Sequence, residues 1–295
     1  MTSIKRLNIL MADDSSEHAR SAVELIRDLS LPPKTRVMVL RVFTPGQISA
    51  IPEFESSLER TKHQLLYAGI KAETDVVLGS PAEKIIEVAK NRKSNLIVLG
   101  AKGLRATLGI LLGGVAQQVV EYAHSPVLIV RAPYLGLRRI LLVTDGSVSS
   151  QYAVRYLGKF PLPEKADVRV MHVLPPLEPL LTMEPHLGGW QTVYIPPPPH
   201  GVSVLQKRQE SKGQALLKRT CDVLQRHGIS ATPILKQGDA ATEIIEYVKS
   251  NEIDLIVAGS LGLSQLKSWW VGSVSRKLIH YSNCSVLMVR GPTKE

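Results

Sequence analysis

Gly259, Gly262, Gly272 and Ser273 stand in the stretch GSLGLSQLKSWWVGSVS, a glycine cluster that closes on a hydroxyl residue. Glycine weakens a helix or strand interior, so such a cluster marks a turn or a close approach to the backbone. Its chemistry could be anion binding, because the free N–H groups of a helix start and a serine hydroxyl suit a phosphate. The spacing is Gly-x2-Gly-x9-Gly-Ser, and no GK[ST] follows as in a Walker loop. Gly100, Gly103 and Gly113 repeat it, with Gly114 where the serine would be. Asp14 and Asp145 each follow a short apolar run and read either as helix N-caps or as acceptors for a base or ribose. Residue types and spacing leave tight turns and a phosphate cradle equally open.

Other reactive side chains carry less. Asp13 doubles the first carboxylate where the second half has Thr144, and reads as a solvated neighbour rather than a metal ligand. Trp269 and Trp270 read as packing or partner-facing residues rather than a base-stacking pair. His124, His172 and His280 have no Ser or Cys partner legible in the sequence, so no catalytic triad is expected. Cys221 and Cys284 lack CxxC spacing and read as packing residues, which suits a reducing cytoplasm.

The elements that must position these residues come twice. LNILMADDSSEHARSAVELI (7–26) lies over RRILLVTDGSVSSQYAVRYL (138–157), and 94–131 lies over 253–290. The offset grows from 131 to 159 residues between the blocks, and the Pro-rich stretch 175–200 supplies the difference. Two domains, 1–134 and 135–295, are therefore expected. In each, short Val/Ile/Leu runs alternate with helical spacing; the first half predicts strands at LNILMA, RVMVLRV, KAETDVV, LIVLG and VLIVR. Such alternation gives an α/β fold, with two doubly wound parallel five-stranded sheets in the order 3-2-1-4-5. Strands one and four then adjoin at the switch point, so the aspartates and glycine loops converge on one crevice per half. SPVLIVR and CSVLMVR, as last strands, would be exposed edges that pair readily. The prolines of 175–200 predict an irregular excursion there rather than a regular helix.

The charge of +10 is spread over both halves: residues 1–135 carry 17 basic and 13 acidic side chains, residues 136–295 carry 19 and 13. With no basic stripe or tail, this reads as a solvated surface and argues against nucleic acid as a partner. The absence of an eighteen-residue apolar run argues against a membrane span, and MTSIKRLNIL does not read as a signal peptide.

Together these motifs resemble the universal stress protein family, as a tandem of two such domains, over nearly the whole chain apart from 175–200 and the termini. The resemblance implies an adenine nucleotide alpha hydrolase-like fold and, by analogy with ATP-binding members, ATP as ligand with Mg2+ an open option. In those members Gly-x2-Gly-x9-Gly-[Ser/Thr] is accompanied by an aspartate after strand one and a valine after strand two. Gly259, Gly262, Gly272, Ser273, Asp145 and Val173 match in full. Asp14, Val42, Gly100, Gly103 and Gly113 match in the first half, but Gly114 departs from the pattern, so the second half is expected to bind ATP more tightly. Single-domain relatives pair through the last strand, which implies an intramolecular pseudo-dimer here and leaves a homodimer open. The implied function is a cytoplasmic, ATP-binding stress-response regulator whose nucleotide state tunes partner binding or oligomerisation. A nucleotide-free interaction scaffold and a slow ATP hydrolase are the alternatives. Only Lys267 in the second loop, against Lys102 and Arg105 in the first, could neutralise phosphoryl charge, which is thin support for fast turnover.

Overall fold

A computed structural model describes residues 6–103, 112–176, 180–186, 189–195, 199–260 and 272–291. The first half runs β1 (Asn8–Ala12), α1 (Glu17–Asp28), β2 (Arg36–Phe43), α2 (Ile51–Tyr67), β3 (Lys71–Leu78), α3 (Pro81–Asn91), β4 (Leu96–Gly100), α4 (Gly114–Tyr122) and β5 (Val127–Val130). The second follows with β6 (Arg139–Val143), α5 (Val148–Leu157) and β7 (Asp167–Leu174). Next come β8 (Leu180–His186), β9 (Gly189–Ile195), α6 (Pro199–Arg226), β10 (Ala231–Gln237), α7 (Ala240–Ser250), β11 (Leu255–Gly259), α8 (Ser273–Tyr281) and β12 (Ser285–Val289).

Each half keeps the expected parallel order, 3-2-1-4-5. The two sheets are not separate, however. β12 pairs antiparallel with β5, setting Leu287 opposite Leu128, and one ten-stranded sheet results: β10-β7-β6-β11-β12-β5-β4-β1-β2-β3. The cause is the unpaired N–H and C=O row that a last strand presents, which two like edges satisfy in each other.

Apolar strands with both faces buried fix the layers. Ile9, Met11 and Val39 turn to the face covered by α1 and α2, and Leu10, Leu40 and Ile97 to the face covered by α3 and α4. The second half repeats this with α5 and α6 on one face and α7 and α8 on the other. Helix starts follow local chemistry: Ser16 and Ser147 accept from the N–H groups of Ala19 and Ser150 at 3.1 and 3.2 Å. Gly69, at φ 76°, ends α2 as a left-handed residue should.

The expected irregular excursion is corrected. Within it β8 and β9 form an antiparallel pair, and α6 begins at Pro199. Seven of the eight prolines lie outside the two strands, and Pro185, opposite Trp190 near the end of β8, is tolerated because both strands of a two-stranded ladder are edges. Pro199 at a first helical position forfeits no hydrogen bond.

Candidate functional site

β1 ends at a sharp turn that aims the first carboxylates. Ser15 takes the left-handed conformation, φ 62°, and its counterpart Gly146 has φ 79°. The turn lets Asp14 Oδ1 accept the Ser16 N–H at 3.0 Å and Asp145 Oδ1 accept the Ser147 N–H at 2.9 Å. Ser16 and Ser147 are the N-caps, so the N-cap reading of the aspartates falls.

The glycine loops arrive from β4 and β11. A Cβ on Gly100 would lie 2.6 Å from His18 Cβ, and one on Gly259 would lie 2.7 Å from the Ser149 carbonyl carbon. These two glycines let the first turns of α1 and α5 press onto the sheet. Gly103 answers to something else: its Cβ would meet an Asp14 carboxylate oxygen at 2.5 Å. The loop then folds back, with Gly113 N–H donating to Ala101 O at 2.7 Å and Gly272 N–H to Ser260 O at 2.8 Å. That contact sets the N-termini of α4 and α8 against the strand tips. Gly262, Arg105, Lys267, Trp269 and Trp270 lie outside the described residues.

One cavity results in each half. The first, about 410 Å3, is lined by Asp14, Val42, Gly100, Gly103 and Gly113, all five residues expected there. The second, about 320 Å3, is lined by Asp145, Val173, Gly259, Gly272 and Ser273. The first turns of α4 and α8 form one wall, and orphan N–H groups at a helix start give such a wall a partial positive charge. Apolar side chains of the α3 and α7 face, Ile85 and Ile244, form another.

Arg41 and Ser275 were not singled out from sequence, and His172 was noted there only as a histidine without a catalytic partner. Arg41, on β2, is buried with its guanidinium 4.2 Å above the Phe54 ring; it donates to Asp13 O at 3.1 Å and to Ser15 Oγ at 3.0 Å. Burial lowers its pKa, and Asp13 and Asp14 act in the opposite sense. His172 stands at the same place on β7 and makes the same tie, Nδ1 donating to Thr144 O at 2.8 Å. Ser275 Oγ donates to Gly259 O at 2.8 Å and pins α8 to β11. For Arg41 and His172 the available signal was a charged or polar residue directly after the apolar runs 37–40 and 170–171 and one place before Val42 and Val173. Asp13 is also corrected: it is buried, not solvated, and accepts from Thr61 Oγ1 and from the Ser15 N–H, each at 2.7 Å.

The comparisons agree with this duplication. The universal stress protein YxiE of Bacillus subtilis is 30% identical over 152 residues, 52% of this chain and 98% of that protein. A universal stress protein of Mycolicibacterium smegmatis is 25% identical over 228 residues, 75% of this chain and 70% of its own length. Among solved structures, a universal stress protein from Archaeoglobus fulgidus superposes with a TM-score of 0.69 at 21% identity, covering 96% of this chain and 98% of that one, a likeness of fold. The sequence model of the universal stress protein family matches residues 5–131 and again 136–290. With that match in both halves, each built around the same strand-tip cavity, the chain belongs to the universal stress protein family as a tandem two-domain member.

Proposed function

We propose that both cavities bind an adenine nucleotide, ATP in the first instance, and that nucleotide state tunes the protein's association with partners in a stress response. One observation carries this reading: in each half an aspartate, a valine and a glycine-flanked helix N-terminus line one cavity at the switch point of the sheet. Asp14 and Asp145 would hold the nucleoside, beside Val42 and Val173. The backbone N–H groups at the start of α4 and α8 would hold the phosphates, with Ser273 adding a hydroxyl in the second half. The room beside Asp14 that Gly103 leaves, which a Cβ would fill, fits a ligand approaching the carboxylate.

The halves are unequal. Ser273 faces its cavity where the first half has Gly114. A hydrogen bond to a charged group contributes roughly 1.5–3 kcal/mol, on the order of 10- to 100-fold in affinity, so the second site binds more tightly. Lys102 lies at the first cavity and opposes this, but a flexible, screened lysine offsets only part of it. A Cβ on Gly114 would enter open space, so Gly114→Ser can be tested without crowding.

Calorimetry with ATP on the wild type, Gly272→Val, Gly113→Val, Ser273→Ala and Gly114→Ser decides. Gly272→Val should remove the tighter site, Ser273→Ala weaken it, and Gly114→Ser strengthen the weaker one. Loss of the tighter site on Gly113→Val instead reverses the order. No adenine nucleotide released from purified protein, and no heat with ATP, would support the scaffold reading. Steady turnover with Mg2+ would support the hydrolase.

A further inference from the structure

On the other face of the second half, between α5 and α6, lies another cavity of about 630 Å3. It meets the Asp145–Gly272 cavity only at the strand tips, where Asp145 and His172 line both. The first half shows what normally occupies this place. There Arg41 stacks on Phe54, Ser15 Oγ meets Ser57 Oγ at 2.7 Å, and Thr61 holds Asp13, so side chains knit α2 to the β1 turn. In the second half the repeat puts His172 for Arg41, Gly213 for Phe54, Gly146 for Ser15 and Leu216 for Ser57. Of the knot only the tie of His172 to the Thr144 carbonyl remains, and a hollow stands beside its place.

The lining has two characters. Val154, Leu174, Leu216 and Val223 give it an apolar wall. Arg155, Lys212 and Arg219 ring it with positive charge, and among the described residues Asp145 is its single carboxylate. None of the three cations forms an ion pair among the described residues; Arg219 Nε donates only to Ala215 O of its own helix, at 3.2 Å. The Gln209 carboxamide oxygen is buried there without a hydrogen-bond partner among the described residues, and an end-for-end turn of that amide would offer NH2 donors instead. A buried polar group without a partner costs stability unless a ligand or water completes it.

We propose that this cavity is a ligand site of its own, for a small amphipathic organic acid. The apolar body would lie between Val154 and Leu216, and the acid group would meet Arg155, Lys212 and Arg219. The volume falls in the range of roughly 300–1,000 Å3 typical of small-molecule pockets, and its mixture of apolar wall and few convergent charges is theirs too. Guanidinium groups favour carboxylate and phosphate alike, so the two acid types share the chemistry. The inference does not depend on nucleotide binding on the opposite face.

Fluorescence titration of the full chain with anilinonaphthalene sulfonate, an aromatic amphipathic anion, tests it. Octanoate and octyl phosphate serve as competitors, and the more effective one names the acid group. Saturable binding should weaken about tenfold in Arg219→Glu or Lys212→Glu, the loss of one charge-assisted contact. Both residues are exposed, so circular dichroism should be unchanged. Arg60→Glu, the equivalent exposed position on α2, should leave the affinity as it was. Three results would overturn the proposal: no saturable binding, equal weakening by Arg60→Glu and Arg219→Glu, or a probe that ATP displaces and Arg219→Glu leaves in place.

Discussion

His18 joins the first site to the seam between the halves. Its Nδ1 accepts the Ala132 N–H at 2.9 Å while its Cβ sits against Gly100, so one residue touches both the glycine loop and the linker. A protonated imidazole could not accept that bond. Burial lowers the His18 pKa from 6.5; Lys102 and Arg131 act in the same sense, and a hydrogen bond to the Val130 backbone and the charge of Glu17 oppose them. Burial likewise lowers that of His280, on α8, helped by Arg276 and Arg131. For a group whose folded pKa is depressed, the stabilisation is present above the unfolded value and lost as pH falls through the folded one. The protein should therefore lose stability as pH drops below about 6.5, because the unfolded chain takes up protons that the folded chain resists. Urea unfolding across pH 7.5 to 5 should show a falling midpoint, and His18→Gln should flatten the slope; a slope unchanged in that variant would assign the effect elsewhere.

At the scale of elements, the cap of α1 does more than start a helix. Ser16 Oγ accepts from Ala19 N–H and donates to Lys102 O at 3.2 Å, so the beginning of α1 is fastened to the glycine loop. Ser16→Ala removes both bonds, and loss of an N-cap alone costs about 1 kcal/mol. The expected outcome is a lower melting temperature together with weaker ATP binding at the first site and unchanged binding at the second. Equal weakening at both sites would mean that the loop is not held by this contact. The helices and strands themselves were legible because apolar periodicity and Ser, Pro and Gly punctuation are local signals. The Gly-x2-Gly-x9-Gly frame was legible because it occurs twice. The Arg41–Phe54–Asp13–Thr61 knot was not, since it joins β2, α2 and the turn after β1, which are distant in sequence and share no spacing. The β8–β9 pair was not legible because proline content disfavours regular structure only where the prolines fall, and seven of the eight within 175–199 lie outside both strands.

The whole molecule is held at its centre by more than the β5–β12 ladder. Arg131 follows β5 and reaches into the other half, where its Nη2 donates to Ile279 O of α8 at 2.7 Å. Arg290 follows β12 and does the converse, its Nη2 donating to Glu121 O of α4 at 2.7 Å. Each arginine ends the motif VL[IM]VR, so the repeat that builds two domains also builds a reciprocal clasp with pseudo-twofold symmetry. Cations at helix C-termini are favourable, and both carbonyls lie at such ends. Tyr134 and the Leu137 N–H both bind the Asp28 carboxylate, which fixes the linker against α1. Arg131 is buried, so Arg131→Ala strands the α8 carbonyl and loses a charge-assisted bond, at a cost of about 2–3 kcal/mol. Leu287→Asp, opposite Leu128, would bury a charge in the ladder. We propose 134/135 as the divide; halves 1–134 and 135–295 expressed apart should then recombine in sedimentation experiments. Arg131→Ala should weaken that association and Leu287→Asp should abolish it. Halves that stay monomeric when mixed would mean that the linker, rather than the edge strands and their arginines, holds the sheet together.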